Sequence, residues 1–194
     1  MAREHGQVIE ETAGERDPER EARRLVALAQ IRQYPDPALR MEAREVREFG
    51  DDLWHLAERM ALLMIDANGV GLAATQVGVL RRVFVFTKGK DEEATAVVNP
   101  VLVQTGEERE ADDEGCLSLQ GVLVPVDRPA AVTLEGMSTI GEPIRLELDG
   151  IDARVVQHEI DHLDGVLIID RTTDDARREA LATLRPRPVL GVRP

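Results

Sequence analysis

At 194 residues, with 43% hydrophobic residues and no run of eighteen apolar ones, the chain has material for one domain with a core and none for a membrane-spanning helix. A net charge of −13 excludes a general binder of nucleic-acid backbones. The single cysteine excludes an internal disulfide, and the charged N-terminus lacks the apolar stretch of a secretory signal, so a reducing cytoplasm is the expected compartment.

Residues 1–24 are dense in Glu and Arg and read as a charged extension. Within them Asp17-Pro18 offers an N-cap and a first-turn proline to a helix that residues 25–31 close. Tyr34-Pro35-Asp36-Pro37 is a turn. Asp51 and Asp52 open the clearest helix: Leu53, Leu56, Ala57, Met60, Leu63, Met64 and Ala67 recur at helical spacing, and Asn68-Gly69 ends it. Trp54 and His55 fall off that stripe and are expected at the surface. Residues 69–78 are mostly small, which lets backbone approach a ligand or a neighbouring strand closely; the run lacks the Gly-Lys-Ser/Thr ending of a phosphate loop. Gln76 within it has two readings, a satisfied buried amide or a donor to a carbonyl oxygen.

Residues 83–86 and 96–103 read as strands, the second interrupted at Asn99-Pro100, with 89–93 as a polar hairpin connection. Residues 106–113 read as an acidic loop leading into Glu114-Gly115-Cys116-Leu117-Ser118. Residues 122–126, 131–135 and 144–148 alternate in the manner of antiparallel strands. Residues 151–163 form a helix stopped by Gly165, 166–169 a short apolar strand, and 173–184 a last helix with Asp174 and Asp175 in its first turn. Six arginines from Arg171 onward (171, 177, 178, 185, 187 and 193) make the C-terminal region locally basic, suited to solvent or to an RNA surface.

The chemistry concentrates in Gln157-His158-Glu159-Ile160-Asp161-His162. Two histidines four apart stand on one helix face, a turn from each other, where their imidazoles converge on one metal ion. Glu159 lies about 100° round from His158, where its carboxylate reaches a metal-bound water instead of the metal. Two imidazoles need at least one more protein ligand. A third histidine six residues beyond the second would complete one protease pattern, but position 168 is Ile. Glu179 is available downstream without a supporting motif. Cys116 is the better candidate, since thiolate is a strong ligand for iron, zinc or nickel; against it stands the commoner fate of a free cysteine, a small buried hydrophobe.

Residues 69–76 (Gly-Val-Gly-Leu-Ala-Ala-Thr-Gln), 114–118 (Glu-Gly-Cys-Leu-Ser) and 157–163 (Gln-His-Glu-Ile-Asp-His-Leu) together resemble, in order and separation, the three signature motifs of the peptide deformylases. The likeness runs from about Ile31 to Asp170. It implies an α+β fold, antiparallel sheets packed around a central metal-binding helix. Residues 1–24 are then an extension, 25–185 a single catalytic domain, and 186–194 a Pro/Arg-rich tail. It implies Cys116, His158 and His162 as metal ligands, Glu159 as general base and acid, and Gln76 with the Leu117 backbone N–H as oxyanion donors. The implied metal is ferrous iron, with zinc, nickel and cobalt suited to the same donors. The implied reaction removes the N-formyl group from the formyl-methionine of nascent polypeptides and releases formate.

Val70, Gly71 and Glu114 flank this site and are expected to bind methionine and the peptide backbone as an added strand, with Val155 lining the methionine pocket. Asp161 is expected to pair with Arg128. One departure touches distal peptide contacts: where the family has Pro-Gly and then a basic residue, Gln120-Gly121-Val122-Leu123 offers no basic side chain. The implied partners are formyl-Met nascent peptides and a transient ribosome contact through the basic C-terminal region, with no membrane and no sequence-specific nucleic acid. The competing expectation is a catalytically silent, metal-stapled homologue acting as a binding module.

Overall fold

The computed structural model describes residues 17–89 and 93–185. Its elements in chain order are α1 (Pro18–Gln30), α2 (Asp51–Asp66), β1 (Gly71–Ala73), β2 (Val83–Phe86), β3 (Thr95–Thr105), β4 (Arg109–Gly115), β5 (Leu123–Pro129), β6 (Ala131–Met137), β7 (Pro143–Asp149), α3 (Gly150–Leu163) and α4 (Asp174–Leu184). Short 3-10 turns occupy Pro37–Arg40, Ala74–Val77 and Ile168–Asp170. Most of the N-terminal extension, the tail and residues 90–92 of the hairpin connection lie outside the described residues. No helix among the described residues is long and apolar enough to cross a membrane.

Five strands form one antiparallel sheet in the order β1-β2-β3-β6-β7. The Val-Phe-Val-Phe sequence of β2 explains how helices cover both its faces. Successive strand side chains point to opposite faces. Val83 and Val85 join Leu72 against Met60, Leu63 and Met64 of α2, while Phe84 and Phe86 join Ala73 against Val155 and Val156 of α3. Gly71 therefore shares the α3 face with Ala73, which matters for the site. Burying a phenylalanine of this kind is worth on the order of 1.5–3 kcal/mol over leaving it exposed.

Capping residues set the helix ends as the sequence suggests. Asp17 accepts from the Glu19 N–H at 3.0 Å, with Pro18 in the first turn of α1, and Thr173 accepts from the Ala176 N–H at 3.3 Å to open α4. Gly165, at φ 72°, takes the left-handed conformation just past α3. The Asn99-Pro100 interruption is a break in register between β3 and β6. Asn99 there accepts from the Val46 N–H and donates to the Val46 carbonyl, each at 2.8 Å, tying the preceding strap to the sheet.

Two expectations are corrected. The acidic stretch is not a loop: from Arg109 it is strand β4, paired with β5 residue for residue from Arg109↔Pro129 to Gly115↔Leu123. Most of its acids point to solvent, and the buried one, Glu114, has its charge met by arginines. Nor is 166–169 a strand. Its end curls into the 3-10 turn Ile168–Asp170, where the Asp170 carboxylate accepts from the Leu167 N–H at 2.9 Å. Leu167, Ile168 and Ile169 fill a third core cluster under the β4–β5 ribbon, with Val124, Val126 and Ala180.

Candidate metal centre

Helix α3 runs between the sheet and the ribbon, and from Ala153 to Leu163 all but Ile160 are buried. The ribbon strand β4 leads straight into Cys116. Helix and ribbon together bring the sulfur of Cys116 and one ring nitrogen each of His158 and His162 within 4.8 Å of one another. His162 presents Nε2 to Cys116 Sγ at 3.2 Å. His158 turns Nδ1 to Glu114 Oε2 at 3.0 Å, which leaves its Nε2 for the shared centre. The donor set, one sulfur and two imidazoles around a common point on a partly exposed cysteine, fits a divalent metal of borderline softness.

Below the ligands lies a buried ionic network. Arg128 grips Glu114 with two parallel bonds, Nε to Oε1 at 2.6 Å and Nη2 to Oε2 at 2.9 Å, and donates from Nη1 to Asp161 Oδ2 at 2.9 Å. Arg171 closes on the other side of Asp161, Nη2 to Oδ1 at 2.6 Å. Arg154 donates to Glu114 Oε1, the Val126 carbonyl and the Glu110 carbonyl, each at 2.8 Å. Burial alone would raise the Glu114 carboxyl, but the hydrogen bonds with His158 and Arg128 prevail and hold it well below the usual carboxylate range. A fixed carboxylate on Nδ1 sets the ring orientation and tautomer of a metal-binding histidine.

Glu159 has a different environment. Burial pushes its carboxyl up to about 7, and its Oε2 meets no hydrogen-bond partner among the described residues. Its place beside the histidines depends on Gly71, where an added Cβ would stand 2.2 Å from Glu159 Oε1. Burial lowers His162, whose Nδ1 also lacks a described partner. Gln76 is oriented by its own backbone neighbourhood: Oε1 accepts from the Ala73 N–H at 2.8 Å, so Nε2 faces Ser118 Oγ at 3.1 Å and Cys116 Sγ at 3.7 Å. The Cys116 carbonyl accepts from the Leu119 N–H at 3.0 Å, which turns the Leu117 N–H of the same peptide the opposite way, and that N–H donates to no described residue.

The residues expected from the sequence as ligands and catalytic groups, Cys116, His158, His162, Glu159, Gln76 and Leu117, are thus gathered in one place. The side chain of Glu114 is committed to His158 and the arginines. Val155 is 1% exposed and packs in the core cluster between sheet and helix. Asp161 pairs with Arg128 as expected and with Arg171 besides. Sequence reasoning missed Arg154, although an arginine four residues before His158 must share that histidine's helix face.

A cysteine sulfur and two imidazoles placed to hold one metal, beside a buried glutamate on an α+β framework, are the parts a mononuclear metal-dependent hydrolase needs. The polypeptide deformylase family profile matches residues 28–178. The chain is 40% identical over 176 residues to a peptide deformylase of Parafrankia sp. (strain EAN1pec), covering 87% of this chain and 96% of that one. It is 44% identical over 147 residues to a peptide deformylase of Thermotoga sp. (strain RQ2), covering 76% of this chain and 88% of the relative. Among solved structures, a peptide deformylase from Legionella pneumophila superposes with a TM-score of 0.76 at 37% identity, covering 79% of this chain and 91% of that one. The chain belongs to the polypeptide deformylase family, metal-dependent enzymes that remove N-formyl groups.

Proposed function

We propose that Cys116, His158 and His162 hold one divalent metal, ferrous iron in the cell, and that Glu159, Gln76 and the Leu117 N–H carry out deformylation around it. The observation that carries this reading is the approach of three donor atoms to within 4.8 Å beside a buried glutamate whose Oε2 has no hydrogen-bond partner among the described residues. A metal bound by these donors supplies a Lewis acid and acidifies a water.

Glu159 takes a proton from the attacking water as its oxygen bonds to the formyl carbon, then returns one to the amine nitrogen as the C–N bond breaks. The products are formate and a free N-terminus. Negative charge developing on the formyl oxygen is met by Gln76 Nε2 and the Leu117 N–H, and losing one such donor typically costs on the order of 10²–10³ in rate. A formyl carbon carries only hydrogen, so a crowded site admits it and excludes acetyl.

The substrate on this reading is the formyl-methionine end of a nascent polypeptide. Among the described residues β4 pairs with no strand but β5, and on this reading the peptide adds as a strand along the other edge, which ends at Gly115 beside Cys116, with Val70 and Gly71 also contacting it. We assign residues 25–185 to one catalytic domain, 1–24 and 186–194 to an extension and a tail, and the protein to the cytoplasm. A transient ribosome contact falls to the region from Arg185 onward, because Arg171, Arg177 and Arg178 are paired with Asp161, Asp170 and Asp175. Truncation after Arg185 keeps α4 and its core residue Ala180; it should weaken co-sedimentation with ribosomes and leave small-peptide activity intact.

The deciding experiment is formate release from formyl-Met peptides, run anaerobically with protein loaded with ferrous iron, nickel, cobalt or zinc. Turnover that follows metal loading supports the reading. A folded, metal-bound protein with no turnover for any metal sinks it.

A further inference from the structure

We propose that Arg154 is a positioning residue for the metal site, acting through Glu114 on His158 and on the ribbon that ends in Cys116. The inference rests on the reading of Cys116, His158 and His162 as metal ligands.

The three ligands come from two separate bodies, the histidines from α3 and the cysteine from the end of β4. Their mutual geometry is only as fixed as the joint between helix and ribbon. Two ion pairs cross that joint in opposite senses. Arg128 of β5 reaches over to Asp161 of α3, next in sequence to His162. Arg154 of α3 reaches back to Glu114 of β4, two residues before Cys116. Arg154 is 7% exposed and its remaining bonds also go to the ribbon, to the carbonyls of Val126 on β5 and Glu110 on β4. One guanidinium from the helix thus spans both ribbon strands and the carboxylate that orients His158. A guanidinium presents its donors as a wide planar fork, whereas an ammonium is a compact point charge. The commitment of Arg154 to backbone carbonyls is what distinguishes it from Arg128, whose side-chain hydrogen bonds among the described residues go only to carboxylates.

Outer partners of metal-binding histidines are typically worth 10–100-fold in metal affinity. Removing Arg154 should free the ribbon end and loosen Glu114, so that metal leaves faster and the thiolate moves relative to the histidines. The test uses cobalt-loaded full-length protein, reading the thiolate-to-cobalt absorption band and the rate of metal loss to a chromophoric chelator, with the melting temperature of the metal-free protein measured alongside. Arg154→Met and Arg154→Gln should each shift the band and speed metal loss about tenfold or more. In a double-mutant cycle, adding Arg154→Met to Glu114→Gln should speed loss less than it does in the wild-type background, because the part of its effect that passes through the carboxylate is already lost.

A wild-type band and loss rate in Arg154→Gln overturns the proposal, even if that variant melts lower, and so does full additivity in the cycle. If Arg154→Met does not fold, Arg154→Gln with Glu114→Gln decides the same question. A wild-type protein without a Cys116-dependent cobalt band is a separate result, which overturns the ligand assignment and this inference with it.

Discussion

Gly71→Ala is a single methyl added to the strand facing the catalytic glutamate. The new Cβ would sit 2.2 Å from Glu159 Oε1, 2.8 Å from its Cδ and 3.0 Å from its Cγ. Ordinary contact begins near 3.4 Å, so Oε1 must retreat by about 1.2 Å. Gly71 lies in an extended strand paired with Phe86 and does not take a left-handed φ, so alanine brings no backbone strain. The clash falls on the end of a flexible side chain, and the fold can survive it. A misplacement of about 1 Å costs on the order of 10²-fold in rate, about 2.7 kcal/mol in the barrier. Formate production by metal-loaded Gly71→Ala should fall by about that factor in kcat/KM, with metal content near that of wild type. Adding Glu159→Ala should then cost much less than it does alone, because the carboxylate is already displaced. Near-wild-type kcat/KM in Gly71→Ala, or the full product of both losses in the double variant, refutes the reasoning.

Glu159→Ala alone should retain metal and lose nearly all formate release; an active Glu159→Ala would reassign the base. Arg128→Leu removes the centre of the buried network, and breaking a buried pair costs about 3–5 kcal/mol. Urea unfolding checks this, and a loss of about 1 kcal/mol or less, the scale of a surface pair, would contradict the burial argument. Asp170→Asn tests a pH dependence carried by a carboxylate outside the metal-ligand group. Burial alone would raise the Asp170 carboxyl, but the hydrogen bonds from Arg40 and the Leu167 N–H hold it below its ordinary 3.8. A depressed folded-state value gives stability that is complete above 3.8 and lost as pH falls through the folded value. The stability gap between wild type and Asp170→Asn should therefore shrink on acidification through that window; a gap constant with pH would contradict it.

The elements legible in the sequence were those whose cause is local. Asp17-Pro18, Thr173 and Gly165 are capping residues that act within a turn of where they stand, and the periodicity of α2 or β2 needs no distant partner. Strand β4 was not legible because Arg-Glu-Ala-Asp-Asp-Glu-Gly carries no apolar alternation. What makes it a strand is pairing with β5 and a buried glutamate whose arginine partners lie 14 and 40 residues away. Four apolar residues at 166–169 suit a strand or a buried turn equally, and the Asp170 side chain on the Leu167 N–H settles it for the turn.

The same division runs through the site. Two histidines and a glutamate on one helical turn are legible by spacing alone, and Cys116 follows once a third donor is required. The orientation of those donors is not legible, because it is set by charge pairs between segments that meet only in the folded chain. Glu114 is placed by the sequence only as a flank of Cys116, because the partners of its side chain lie 14 and 40 residues away. The one available signal was Arg154, a turn before His158 and so on its buried face. A guanidinium there must be met by a carboxylate and by carbonyls, since a charge buried alone is too costly to keep. Of the acids near Cys116, Glu114 already turned toward His158 and Arg128 is the one it meets. The ionic network thus follows from placing an arginine on the metal-bearing face, and the histidine geometry follows from the network.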